Sequence, residues 1–191
     1  MGNFYTNITL RGPQQGRVVE FLNQQGRNAY VSPTAGSFTV VCDEKSEEQD
    51  IAVLQSLASS LSAQFNCPAL ALLNHDDDIL VYKLYSDGIL VDEYDSSPSY
   101  FDPDAEPSDP IGGDAIKLCQ IMGKAENATE VENILRRSSH EDDGFVFEIE
   151  RHEALVRALG LPAFSIGLGF TYIEQDEIPE GLDAESLIRS S

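Results

Sequence analysis

The sequence predicts an α+β fold: a mostly antiparallel sheet in the N-terminal half with helices packed on it, and a helical C-terminal half. Three observations point there. Short β-branched and aromatic runs, punctuated by turn residues, fill most of the first hundred positions. One long apolar stripe at helical spacing interrupts them near residues 51–65. Beyond residue 113 helical spacing dominates. Residues 1–191 are expected to form a single domain, with an acidic, proline-rich loop at 95–113 and a mobile tail at 183–191.

Each element has its own local reason. Residues 3–10 are rich in β-branched and aromatic side chains and stop at Gly12-Pro13, which reads as a first strand. Val18, Phe21 and Leu22 recur at helical spacing and Gly26 ends the run. Tyr30-Val31 and Phe38–Val41 read as strands around a Pro33–Gly36 turn. Ile51, Leu54, Leu57, Ala58, Leu61 and Phe65 form the clearest apolar helix face, ended by Pro68. Ala69–Leu73 is an apolar strand. Ile79–Tyr85 and Ile89–Tyr94 flank Ser86-Asp87-Gly88, where glycine supplies the positive φ of a hairpin turn. Leu80, Tyr82 and Leu84 should share one face, and Val81, Lys83 and Tyr85 the other. Pro98, Pro103, Pro107 and Pro110 bar regular structure from 95–113. A helix then turns Ala115, Leu118, Cys119 and Met122 inward, and Thr129 with Glu132 suggests a capping box for the next. Phe145–Phe147 reads as a strand, Glu150–Leu159 as a helix ended by Gly160.

Charge is the strongest functional clue. The formal net charge is −21. Residues 1–41 carry three arginines against one glutamate; residues 42–112 carry sixteen acids against two lysines, a net −14. Asp76 to Asp109 alone holds eleven acids and one lysine, Lys83. Direct binding to nucleic acid or an anionic membrane is disfavoured, because phosphate contacts need a basic stripe. No run approaches the roughly 20 apolar residues of a membrane span, and the first residues carry no secretory signal. Three cysteines, Cys42, Cys67 and Cys119, without CxxC spacing fit reduced thiols in the cytoplasm.

Such density of carboxylates invites a hard cation, and calcium, with about 6–8 oxygen ligands in flexible geometry, is the expected one. Asp102, Asp104 and Glu106 alternate, so an extended loop would point them one way, and Asp109 follows closely. These four are the main expected ligands, with Asp95 and Asp114 at the margins and the carbonyls of Gly112 and Gly113 completing the shell. Asp76, Asp77 and Asp78 form a second, weaker candidate cluster. Counted from Asp102, an EF-hand would need glycine at Pro107 and glutamate at Gly113, so the loop is not an EF-hand. A solvated acidic loop without metal is the competing reading. Glu141-Asp142-Asp143 and Glu174–Glu177 are weaker clusters. A thiol–imidazole pair from the cysteines with His75, His140 or His152 has thin support, since each cysteine sits on an apolar element. Gly167–Tyr172 begins like a dinucleotide loop but has Tyr172 at the third glycine position, and reads better as a turn.

The runs Asp76-Asp77-Asp78-Ile79-Leu80-Val81-Tyr82, Asp95-Ser96-Ser97-Pro98-Ser99-Tyr100-Phe101-Asp102 and Gly112-Gly113-Asp114-Ala115 resemble small acidic bacterial proteins. The nearest family is that of the non-EF-hand calcium-binding proteins of heterocyst-forming cyanobacteria, over residues 69–123. The resemblance implies a cytosolic calcium buffer or calcium-responsive regulator without enzymatic activity. The alternative is an acidic interaction module, an immunity protein or nucleic-acid mimic, docking on a basic protein partner.

Overall fold

A computed structural model of the chain describes residues 2–102, 104–106, 108–138 and 144–191. The strands are β1 (Phe4–Arg11), β2 (Ala29–Val31), β3 (Phe38–Asp43), β4 (Ala69–His75), β5 (Ile79–Ser86), β6 (Ile89–Asp95), β7 (Ile111–Gly112) and β8 (Ile188–Ser190). The helices are α1 (Gln15–Gln24), α2 (Ile51–Phe65), α3 (Ala115–Met122), α4 (Ala128–Arg136), α5 (Glu148–Leu159) and α6 (Phe170–Glu174). The α+β class is therefore as the sequence predicts. All eight described strands join one sheet in the order β7-β6-β5-β4-β1-β3-β2-β8, and every neighbouring pair is antiparallel. Its middle, β4-β1-β3-β2 with α1 and α2, is a double split β–α–β unit. The β4-β5-β6-β7 meander extends it on one side and β8 on the other.

Alternation along the strands builds two cores. Leu70, Leu72, Leu80, Tyr82 and Leu84 face α3, α4 and α5. Ala69, Ala71, Leu73, Ile8 and Leu10 face α1 and α2. A third cluster packs Val40 and Cys42 against Phe164, Leu168, Phe170 and Ile173. The expected split of β5 into a Leu80/Tyr82/Leu84 face and a Val81/Lys83/Tyr85 face holds in this packing. Among the described residues no helix is long and apolar enough to cross a membrane.

Helix ends follow local chemistry. Asp50 caps α2 by accepting from the Ala52 N–H at 2.8 Å, and Asn66 closes it in the left-handed region. Asp114 caps α3, and Gly123 ends it with φ 81°. The Thr129–Glu132 capping box does not form. Helix α4 already begins at Ala128, continuing a 3-10 turn (Ala125–Asn127), so Thr129 lies inside its first turn. Phe145–Phe147 is not a strand: it leads into α5, whose Glu150 carboxylate turns back to accept from the N–H groups of Val146 and Phe147 at 3.0 and 3.3 Å. Asp95 ends β6, and the described residues of 96–113 are loop apart from β7. Instead of hanging free, the C-terminal residues form β8 against β2, and the Ser190 hydroxyl accepts from the Ala29 N–H at 3.1 Å.

The C-terminal helices are locked to the sheet by a buried ion pair. Arg151 and Glu148, fully buried on α5, pair in a bidentate fork at 2.7 and 3.1 Å. The third guanidinium nitrogen donates to the Ile134 carbonyl at 2.6 Å, and the cation lies 4.7 Å over the Phe145 ring. The Tyr94 hydroxyl donates to the Leu135 carbonyl at 3.0 Å. Carbonyls at the end of α4 are thus satisfied by groups from α5 and β6. Arg151→Ala removes the bidentate guanidinium from the buried Glu148 carboxylate, so chemical denaturation should show a loss of about 3–5 kcal/mol, while Glu148→Leu with Arg151→Met should recover most of it.

Candidate functional site

The face of the sheet that carries α1 and α2 is not covered across its whole width. Leu73, Val81 and Asp95 are register partners across β4, β5 and β6, and so lie in one row on that face. The N-terminal turns of α2, with Ile51 and Gln55, border the row on one side. Phe101 borders it on another. The loop after β6 brings it there by local hydrogen bonding: Ser96 prolongs the pairing to Leu80, Asp95 Oδ1 accepts from the Ser97 N–H at 2.9 Å, and the N–H groups of Tyr100 and Asp102 bond back to Ser97 and Ser99. The Phe101 ring meets His75 at 5.2 Å and Tyr100 at 5.1 Å, both edge-on, and the Tyr100 hydroxyl donates to Asp78 Oδ2 at 3.0 Å. A hollow of 280 Å³ results. A second, of 230 Å³, shares Lys83 and Asp95 with it and continues toward Glu93 and Ile111.

Asp95 is half-buried in this groove. Burial pushes its carboxyl pKa above the ordinary 3.8, against the opposing pull of the Ser97 N–H and of Lys83. The Lys83 ammonium is held by the Glu93 carboxylate across the β5–β6 pair. Phe101 is 72% exposed, so its ring is open to contact from outside the chain.

The acidic residues expected to bind calcium occupy different places. Asp76 and Asp77 take the left-handed conformation of a tight turn, with φ 54° and 60°. Asp76 Oδ1 accepts from the Gly2 N–H at 2.9 Å, and Asp77 Oδ2 from the N–H and side-chain amide of Asn3 at 3.0 and 2.7 Å. Asp78 is bonded to Tyr100. Asp102 Oδ1 accepts from the Asp104 N–H at 3.1 Å. Asp102, Asp104, Glu106 and Asp109 are exposed. Asp114 caps α3 and faces Lys117, whose N–H and ammonium hold its carboxyl pKa below the ordinary value. The carbonyls of Gly112 and Gly113, expected as metal ligands, instead both accept from Arg136. Gly112 is required there: at φ 71° a β-carbon would sit 2.2 Å from the Glu93 carbonyl oxygen. Tyr100 and Phe101 bring the 76–78 turn and the 95–102 loop onto one surface. Among the described residues no three His, Cys, Asp or Glu side chains gather where one metal ion could be held. Glu141, Asp142 and Asp143 lie outside the described residues, as does His140. Glu174 is bonded to Tyr30 and Arg189.

The thiols are buried, and burial raises the pKa of each, Cys67 to about 11, which removes the thiolate a nucleophile needs. Gly167–Tyr172 turns into α6, a helix of five residues.

Two buried titratable groups have structural roles that the sequence does not assign. His152, fully buried, takes the Tyr5 hydroxyl on Nδ1 at 2.7 Å, and burial lowers its pKa to about 3. Glu47 sits in a 3-10 turn (Glu44–Glu48) where β3 leaves the sheet before β1 does. Its Oε1 accepts from the N–H of buried Thr6 on β1 (3.4 Å) and from the Phe170 N–H (2.6 Å), tying α6 to the sheet. Burial raises its pKa to about 7. Nothing in the acidic run Glu44–Glu48 marks Glu47 out; only the distant Phe170 does. Between pH 4.5 and 7 the folded chain holds a proton on Glu47 that the unfolded chain releases, so this group's contribution to stability falls as pH rises through that window. Glu47→Gln keeps the acceptor without the charge. Thermal unfolding should show it matching the parent near pH 4.5 and exceeding it by roughly 2–3 kcal/mol above pH 7.

Comparisons with protein-family models, with curated proteins and with solved structures return no match to this chain, so the groove, its carboxylate and its aromatic rim stand as the evidence on function.

Proposed function

We propose that this chain is a cytosolic binding protein rather than an enzyme, and that its acidic sheet edge docks on a basic protein segment. One observation carries the reading: the uncovered groove beside β5 and β6, with exposed Phe101 and half-buried Asp95, lies in the segment of net charge −14. An apolar hollow gives contact area, and the surrounding carboxylates give steering and partner choice. Asp76, Asp77 and Asp114 spend oxygens on backbone N–H groups; Glu93, Asp102, Asp104 and Glu106 are exposed, Glu93 with Lys83 beside it and Asp102 with one oxygen on the Asp104 N–H. Three unbridged, buried cysteines support the cytosolic placement and argue against a thiol nucleophile.

Calcium is a second reading, supported by the turn in which Asp102, Asp104 and Glu106 all keep exposed carboxylates within five residues. It would make the same surface a calcium buffer or a calcium-responsive one.

Fluorescence anisotropy with a labelled lysine-rich peptide in chelator separates the two. Affinity should fall at least tenfold between 50 and 500 mM salt, and Glu93→Lys with Asp102→Lys and Asp104→Lys should remove it. Glu20→Lys with Glu130→Lys and Glu177→Lys, on other surfaces, should weaken it far less. Equal loss from the two triple variants defeats the docking reading. Micromolar calcium heats in calorimetry, lost in the first triple only, support the second.

A further inference from the structure

We propose that the hollow beneath Phe101 is a socket for a single arginine side chain of that basic partner, with Asp95 as its carboxylate and Phe101 as its stacking wall. This rests on the docking reading and specifies its anchor. The hollow's 280 Å³ lies just below the roughly 300–1,000 Å³ of small-molecule pockets, which suits one side chain rather than a whole metabolite. Its floor is apolar, from Leu73 and Val81, and matches the stem of a long side chain.

The polar end selects the charge. Asp95 Oδ1 accepts from the Ser97 N–H, and among the described residues Oδ2 carries no hydrogen bond. Lys83 is beside it but is committed to Glu93. The burial that raises the Asp95 pKa marks a carboxylate whose loss of water is not fully compensated, and an arriving cation would supply the missing partner. Arginine fits better than lysine for three reasons. Its guanidinium is planar and can lie against the exposed Phe101 ring. It is more weakly hydrated than an ammonium, so entering the groove costs less. Its fork can donate to Asp95 and to a neighbouring acceptor together, as the Arg151–Glu148 pair does inside the core. Arginines seated in well-packed pockets that lose their water on binding carry a large share of binding energy in protein interfaces.

The test uses the full chain and two labelled peptides of equal length and charge. One has all its cations as lysine, and the other carries arginine at the central position. At 150 mM salt the arginine peptide should bind about tenfold tighter. Asp95→Asn and Phe101→Ala should each erase that preference, weakening the arginine peptide more than the lysine peptide until the two affinities agree within about twofold. Circular dichroism melts check that both variants fold; Phe101→Ala, at an exposed site, should match the parent. In the parent, nuclear Overhauser contacts should join the arginine side chain to the Phe101 ring. Equal affinities for the two peptides overturn the socket while leaving the docking reading in place. A preference that survives both variants overturns it equally. Failure of both peptides to bind in a salt-dependent manner removes the docking reading, and the socket with it.

Discussion

A width mismatch between layers governs this molecule. Strands lie about 4.8 Å apart, so eight of them span roughly 34 Å between the outer axes. Two packed helices, with axes about 10 Å apart, cover only about half of that. On the face that carries α1 and α2, coverage therefore ends near β5, and the strip beyond must be closed by something other than a helix. The chain uses the 96–102 loop, whose Tyr100 and Phe101 lean over the sheet against His75. The opposite face has no such shortage, because α3, α4 and α5 lie across it. The groove is thus a product of layer geometry, and its residues are those the meander happens to present there.

The same geometry explains how so much negative charge is tolerated. Carboxylates that would repel one another in a cluster are instead distributed among backbone donors. Asp50 and Asp114 occupy helix starts, Asp76 and Asp77 bind the first residues of the chain, and Asp43 takes Arg27 together with the N–H and hydroxyl of Ser46. Each such bond occupies a carboxylate oxygen that would otherwise be open to an external cation. What remains at the surface is a field, concentrated where residues 76–109 fold back on themselves, and a field of one sign selects partners of the other.

Much of the fold was legible because local rules agreed with the global packing. The α2 stripe, the Ser86-Asp87-Gly88 turn with Asp87 and Gly88 both at positive φ, and the two-residue alternation of β4 and β5 need no distant information. The rest required it. Strand β7 has two residues and β8 three, lengths at which periodicity carries no signal. Glu148–Arg151 and Glu153–Arg157 look alike as spaced charges on one helix, yet the first is buried and the second exposed, because α4 and Tyr94 arrive only over one side. Tyr5 and His152 are 147 positions apart. The candidate site is half legible: acid density points to the region, and Asp95 is named there, but as a marginal calcium ligand and not as the wall of a groove. The aromatic ring that gives the site its shape was passed over because Phe101 was read as part of a charged loop.

The last strand sets where this architecture yields first. Closing β8 onto β2 joins Ser190 to Ala29 across 161 positions for a ladder of three residues, so long-range ordering is exchanged there for few bonds. Detachment of that seam should be among the molecule's lowest-energy openings, well below global unfolding. Once it lifts, β2 offers unpaired main-chain groups to any neighbouring molecule, and the crowd of like charges is then what keeps two such edges from meeting.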